Sequence, residues 1–166
     1  MSWPARLPAD RRHAGLAALT DLFGLATTAG GAAELRDGCD LLGALRGQSA
    51  GRDAVFGVFG TPGTRQFKCM VRRGDWKYLW LANGGRELLF NLRTDPGESR
   101  SFAATERATL AALRAEAIRI VAARPLSAPA LEGGALQTLP FEPFPRVRIK
   151  QFARGVTDFG QGVLHP

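Results

Sequence analysis

The chain has 166 residues, a hydrophobic fraction of 45% and a formal net charge of +7 at pH 7. This length suits one domain with a buried core, and the apolar content is typical of a globular rather than a disordered protein. No apolar run is long enough to span a membrane, and the N-terminus lacks the apolar core of a signal peptide, so we expect no membrane partner and a cytoplasmic location if the chain is expressed as given.

Two helices are predicted within residues 1–50. Apolar residues recur along residues 14–29 at helical spacing and make one broad face. The residues of this face are Leu16, Leu19, Leu22, Phe23, Leu25 and Ala26. A short helix at 41–45 follows, with Asp40 as its N-cap and Gly47 as its end.

Four strands are predicted next, at 54–59, 67–71, 76–81 and 87–92. Gly74-Asp75 and Asn83-Gly84-Gly85 supply tight turns between them, so the strands form an antiparallel meander. The period of two places Trp76, Tyr78 and Trp80 on one face of the third strand, where packing against a helix is the favoured interpretation.

A long helix is predicted at 105–123, ended by Pro125. Its buried stripe consists of Leu110, Leu113, Ala117, Ile120 and Val121. The fold class is therefore α+β, with a small four-stranded antiparallel sheet packed by a C-terminal helix and preceded by an amphipathic helix. Residues 51–124 make this unit, and the Pro-rich residues 125–166 are interpreted as an extended tail that wraps a surface or is partly disordered.

Six short segments, taken in order, resemble the C-terminal signature of the sulfatase family, which belongs to the alkaline phosphatase superfamily and includes arylsulfatases and choline sulfatases. The segments are WPARLP at 3–8, LTDLF at 19–23, DGCDLL at 37–42, MVRRGDWKY at 70–78, ELLFNL at 87–92 and DPGE at 95–98. The positions that match the signature are Asp21, Asp37, Gly38, Arg72, Lys77, Tyr78, Leu89, Phe90, Asp95, Pro96 and Glu98. Four places depart from it: Gly24, Asp40, Asn91 and the run 101–103.

The resemblance implies a parent enzyme that hydrolyses a sulfate ester. That family uses a formylglycine, made from the Cys or Ser of a C/S-x-P-S/A-R motif, and a divalent cation, usually calcium. Both lie N-terminal to the region that this chain resembles, so no catalytic or metal-binding residue is assigned and no cofactor is expected in this chain. The implied partner is the missing N-terminal sulfatase domain.

Three patterns offer other chemistry. Cys69 and Arg73 have the spacing of the nucleophile motif but lack its Pro, and Ser49 sits in a G-x-S-x-G run that follows a helix instead of a strand. The basic residues Arg72, Arg73 and Lys77 interleave with aromatic ones, which can indicate a surface for an anion or a sulfated sugar. The 22 basic residues of the chain are scattered, so nucleic acid is not an expected partner.

Three hypotheses follow. The first is a C-terminal fragment of a sulfatase that is inactive alone, and the second is a stand-alone basic module that binds an anionic partner through arginine. The third is a relic without a selected role. Since the apolar face of the helix 14–29 is too wide for the small sheet to cover, we also expect an exposed patch and self-association through it.

Overall fold

A computed structural model describes residues 14–32 and 34–143 of the chain. The helices are α1 (Leu19–Ala29), α2 (Leu41–Arg46) and α3 (Arg107–Ala122), with a 3-10 helix at Pro125–Ala130. The strands are β1 (Ala54–Phe59), β2 (Lys68–Arg73), β3 (Trp76–Leu81), β4 (Arg86–Asn91), β5 (Leu131–Glu132) and β6 (Ala135–Leu136). The predicted α+β fold is confirmed; β1 and β3 have the predicted limits, and those of β2 and β4 are shifted by one or two residues.

The first four strands form one antiparallel sheet in the order β1-β2-β3-β4, as the short turns predict. The register aligns Val71 with Tyr78 and Tyr78 with Leu89, and all three side chains are fully buried. Trp80 is buried beside them and Trp76 packs at the edge of the same core. The aromatic face of β3 is therefore the inner face of the sheet.

Helix α3 covers this inner face. Each residue of the predicted stripe is buried, and Ala117 and Val121 have no exposed surface at all. Burial of this many apolar side chains in one continuous cluster supplies the main stabilising term of the unit.

The first helix begins later than predicted. Residues 14–18 are not helical, because Ala18 is the extended N-cap of α1 and Leu16 forms an isolated antiparallel bridge with Arg52. Leu16 therefore does not belong to the apolar face of the helix. Part of the expected patch is nevertheless present, since Leu19, Leu22 and Phe23 are 85%, 50% and 37% exposed, whereas Leu25 is half-buried.

The prediction of an extended tail from residue 125 is wrong for residues 125–136. The 3-10 helix and the β5–β6 hairpin pack Ala130 and Leu136 into the main core. The hairpin turn is Gly133-Gly134, with φ of 56° and 80°, which is the left-handed conformation that a two-residue hairpin loop requires.

The following residues lie against the sheet. The amide of Leu139 donates to the carbonyl of Ala82 and the amide of Gly84 donates to the carbonyl of Leu139. The side chain of Asn83 exchanges two hydrogen bonds with the backbone of Glu142, at 2.7 and 2.8 Å. The wrapping part of the tail prediction thus applies to residues 137–142, whereas residues 144–166 lie outside the described part of the chain.

No helix in the described part of the chain is long and apolar enough to span a bilayer.

Candidate functional site

The signature positions fall in three places in the fold. Asp21, Asp37 and Gly38 surround the start of α1. Tyr78, Leu89 and Phe90 are buried in the sheet. Arg72 and Lys77 lie on the outer face of the sheet, which is the face opposite α3, and Glu98 binds Lys77 there. Asp95 and Pro96 belong to the corner that leads to Glu98. The segment 3–8 lies outside the described residues.

The carboxylate of Asp21 is the centre of a polar node that joins three segments. It is fully buried and accepts hydrogen bonds from the amides of Ala18 and Cys39, at 2.7 and 2.9 Å. The guanidinium of Arg52 pairs with both of its oxygens. We call Asp21, Arg52 and these two amides the Asp21 node; it fixes α1 to the loop 36–40 and to the approach to β1.

Electrostatics in the Asp21 node favour the ionised carboxylate. Burial by itself would raise the pKa of Asp21, but the hydrogen bonds from Arg52, Ala18 and Cys39 outweigh it and lower the pKa from 3.8 to about 2. A buried carboxylate with this many donors is a structural element that stays charged at neutral pH.

In the loop at Asp37-Gly38, the backbone of Gly38 lies very close to the backbone of Thr20 and Leu35. A Cβ on Gly38 would lie 2.7 Å from the carbonyl oxygen of Thr20 and 2.8 Å from that of Leu35, so only glycine fits. The carbonyl of Asp37 accepts from Arg52 at 3.0 Å, while its carboxylate is exposed and meets Arg124.

A second polar cluster lies between the sheet and α3. Glu87 accepts a hydrogen bond from the hydroxyl of Tyr78 at 2.8 Å and a bidentate pair from Arg114, with both distances 2.6 Å. Burial would raise the pKa of Glu87, but these donors outweigh it and lower the pKa. Burial is the main cause of the raised pKa of Tyr78, followed by its bond to Glu87, so this hydroxyl is a donor and not a base.

The corner at 95–98 places a carboxylate against the outer face. The Asp95 carboxylate accepts from the amide of Arg100 at 2.9 Å and from the Ser99 hydroxyl at 3.0 Å, and the first of these is the main cause of its lowered pKa. Glu98 adopts a φ of 53°, which is uncommon for a residue with a side chain. Its carboxylate binds Nζ of Lys77 at 2.7 and 2.9 Å.

An open groove of about 440 Å³ lies above this ion pair. Residues 14–17 form one wall, and Arg72 and Lys77, which are directly opposite each other on β2 and β3, lie along it. The other lining residues are Val55, Met70, Leu92 and Glu98. We call this feature the outer groove.

The nucleophile candidates from the sequence are not assembled into a catalytic arrangement. Cys69 is buried in the core, and burial raises the pKa of its thiol to about 12, so it is a weak nucleophile. The hydroxyl of Ser49 donates to the carbonyl of Asp40 at 3.2 Å. The histidines, His13 and His165, lie outside the described residues.

The Asp21 node and the Glu87 cluster were not found from the sequence. Their basic members, Arg52 and Arg114, come from distant segments that no local pattern connects. One signal was available: Glu87 is aligned with Trp80 and therefore shares the inner face, and a carboxylate on an inward face requires a paired donor.

No protein-family model matches the sequence, and no curated protein matches it. Solved structures do match. One is a protein of Bacteroides thetaiotaomicron VPI-5482 named as a sulfatase, at 22% identity and a TM-score of 0.55, over 72% of this chain and 27% of that one. Another was solved with its substrate D-glucosamine-2-N,6-O-disulfate, at 15% identity and a TM-score of 0.59, over 75% of this chain and 28% of that one.

A third match is a 2-O GAG sulfatase, at 23% identity and a TM-score of 0.55, over 72% of this chain and 27% of that one. This chain thus spans a little over a quarter of the length of the sulfatases it resembles. At these identities the matches establish the fold, and this chain has the fold of a region of sulfatases.

Proposed function

We propose that this chain is the C-terminal part of a sulfuric ester hydrolase of the sulfatase family. In the complete enzyme it supports the domain that carries the formylglycine and the calcium ion. By itself the chain has no hydrolytic activity.

One observation carries this proposal. The fold matches just over a quarter of each sulfatase structure, and the same residues that resemble the family signature hold this fold together. Asp21 and Gly38 fix α1 to the loop before α2, while Tyr78 and Leu89 lie in the centre of the sheet. Because residues with these roles stabilise the fold, the signature in this chain identifies an architecture rather than a reaction centre.

The described residues give no support to a cofactor site in this chain. Within residues 14–32 and 34–143, no three His, Cys, Asp or Glu side chains come together to hold a metal ion. The sequence context of Cys69 lacks the proline of the formylglycine motif, and the residue is buried. On this proposal both cofactors belong to the other part of the enzyme.

The exposed side of α1 gives that other part a place to bind. Leu19, Leu22 and Phe23 are the large exposed apolar residues of this helix, and its buried positions are Asp21 and Gly24. A helix held by one polar node and showing its apolar face to solvent suits an inter-domain contact. In its absence, the same face would drive self-association.

The proposal is tested on the genomic DNA upstream of the Met1 codon. We expect an open frame, or one broken by a single shift, that encodes a C/S-x-P-S/A-R motif. The joined protein should then hydrolyse an aryl sulfate, whereas the 166-residue chain should not. An upstream region without such a coding sequence, or sulfatase activity in the chain itself, would contradict the proposal.

A stand-alone module for an anionic partner is the second candidate function. The observation that favours it is the placement of Arg72 and Lys77, which lie side by side on the outer face, away from the aromatic residues of the core. This candidate does not require an upstream domain.

A further inference from the structure

The two edges of the sheet differ. At the β4 edge, the amide of Phe102 donates to the carbonyl of Leu89, and the amide of Leu89 donates to the hydroxyl of Ser101. Within residues 14–32 and 34–143, no backbone hydrogen bond joins β1 to any segment except β2. Alternate residues of β1 therefore direct their N–H and C=O groups away from the sheet, where a further strand can pair with them.

The free edge at β1 also has exposed apolar side chains. None of the residues of β1 is buried, whereas β2, β3 and β4 each have two buried residues. Phe56 packs against the core, and alternation places Val58 on the same inner face, where it is 54% exposed. Such an edge is a docking surface for an extended segment. We propose that residues 146–151 of this chain pair with β1 as a fifth, antiparallel strand.

The described part of the chain ends close to this edge. Arg65 lies in the loop that joins β1 to β2; its Nε donates to the carbonyl of Pro140 at 3.0 Å, and its guanidinium pairs with Glu142 at 3.2 Å. Residues 143–145 span roughly 10 Å when extended, which is about two strand spacings. The next residue can therefore reach the Phe59 end of β1, and a strand that starts there runs antiparallel to β1.

Residues 146–151 have the alternation of a half-buried strand. They read Arg-Val-Arg-Ile-Lys-Gln, so basic and apolar side chains follow each other in turn. Valine and isoleucine are also residues that strands favour. The segment has the same length as β1, which has six residues.

One register satisfies both faces of the sheet. When residue 146 pairs with the last residue of β1, Val147 lies beside Val58 and Ile149 lies beside Phe56 on the inner face. These contacts extend the apolar core across the exposed edge. The three basic side chains then lie on the outer face of the sheet, in solvent.

The tether favours this occupant over a second copy of the chain. A segment joined by a short linker has an effective concentration on the order of millimolar at the surface it reaches. Once it is paired, its row of basic side chains becomes the new edge of the sheet, and charged edges oppose the addition of further strands. The segment would thus protect the sheet from edge-to-edge association.

This inference goes beyond the proposed function and does not depend on it, because both partners belong to this chain. The sulfatase proposal is tested on the coding sequence upstream, whereas strand pairing is tested on the chain itself. Either can fail while the other holds.

The first test is hydrogen exchange of the full-length chain, read at single amides of β1. Arg148→Pro with Ile149→Pro is the disrupting variant: consecutive amides of a strand point to opposite edges, so one of the two prolines removes a donor to β1. We expect the amides of β1 that point away from β2 to exchange at least about tenfold faster in this variant. Val163→Pro with Leu164→Pro is the matched control and should leave them unchanged. Unchanged exchange in β2 and β3 checks that the fold is kept.

The second test is a disulfide across the proposed pair. Gly57→Cys with Arg148→Cys joins two positions of the outer face in this register, and a Cβ on Gly57 has no contact closer than 3.4 Å. Both variants carry Cys39→Ser, and Cys69 is buried on the inner face. Mild oxidation should form the bond within one chain at least about fivefold faster than in Gly57→Cys with Ile149→Cys, whose second thiol would face the other side.

Three results would overturn the proposal. The first is exchange in β1 that the prolines at 148 and 149 leave unchanged. The second is equal rates of disulfide formation at positions 148 and 149, since a segment that is not paired presents both thiols alike. The third is a disulfide that joins two chains on a non-reducing gel, which would identify a second copy as the occupant of the edge.

Discussion

Different forces stabilise two regions of the molecule. One is the unit formed by the sheet with α3, and the other is the region formed by α1 with α2. The first has a continuous apolar core in which Val71, Tyr78, Leu89 and Val121 are fully buried. In the second, Leu42 and Ala44 of α2 are buried, but α1 buries no large apolar side chain and the Asp21 node binds it to its surroundings. Apolar packing does not itself titrate, whereas the Asp21 node depends on an ionised carboxylate. The sheet unit also contains the carboxylate of Glu87, but there the apolar core adds a large term that is independent of pH, so α1 should respond more strongly to acid.

The largest expected effect is on the core of the sheet. Leu89→Ala removes a fully buried side chain from the inner face and should lower the free energy of unfolding by about 3 kcal/mol. Urea denaturation followed by tryptophan fluorescence measures this. Leu126→Ala is the control, since Leu126 is 92% exposed and its truncation should cost less than about 0.5 kcal/mol. Equal costs for the two variants would mean that the described core is wrong.

The next effect is on the Asp21 node. Asp21→Asn leaves Arg52 without its ionic partner and should cost about 2–3 kcal/mol, at or below the lower end for a broken buried pair because Arg52 is partly exposed. Hydrogen exchange should speed up in α1 and the loop 36–40 and stay unchanged in α3. Asp75→Asn is the control, because its pair with Arg93 is exposed on both sides. Faster exchange in α3 would mean that the two regions are not separable.

Acid should separate the two regions without mutation. The pKa of Asp21 is lowered to about 2 in the folded state from 3.8, so its contribution is complete above about pH 4 and is lost as the pH falls through about 2. The shift corresponds to about 2 kcal/mol. Amide signals of α1 should therefore weaken between pH 4 and pH 2 before those of β2 and β3. In Asp21→Asn this early transition should be missing.

The smallest effect on stability is expected at the exposed face of α1. Leu19→Gln with Leu22→Gln should change the free energy of unfolding by less than about 0.5 kcal/mol, because both side chains are exposed. Sedimentation velocity should show less self-association than in the unchanged chain. Leu126→Gln is the control, because it makes the same substitution at another exposed site. A monodisperse monomer before any substitution would contradict the expectation.

Much of the fold could be predicted because local patterns decide it. Alternation along β3 and the helical spacing of Leu110, Leu113 and Ala117 determine which side chains face inward. The start of α1 was misplaced, because apolar spacing continues back to Leu16 whereas the real limit is set by the Asp21 carboxylate that binds the Ala18 amide. The hairpin at 131–136 was missed because its strands are two residues long, although Gly133-Gly134 was a readable turn signal.

The candidate site was less accessible to prediction. The alternation along β3 predicts that Lys77 lies on the other face of the strand from Trp76, Tyr78 and Trp80, which is correct. It thereby separates the basic face from the core. The pairing of Lys77 with Glu98, 21 residues later, was not predicted, and it occurs together with a left-handed backbone at Glu98 that no sequence rule for non-glycine residues anticipates. The outer groove itself depends on residues 14–17, whose position is set by the bridge between Leu16 and Arg52.

The two hydrogen bonds between Asn83 and Glu142 have a consequence for folding during synthesis. The two partners are 59 residues apart, so the turn that connects β3 to β4 leaves the ribosome well before the segment that satisfies its buried amide. At usual rates of synthesis this is a wait of roughly 3–12 seconds. During that interval the side-chain amide of Asn83 lacks its partner at Glu142. A chain that ends between residues 83 and 142 would lack this partner permanently and would be a substrate for cellular quality control.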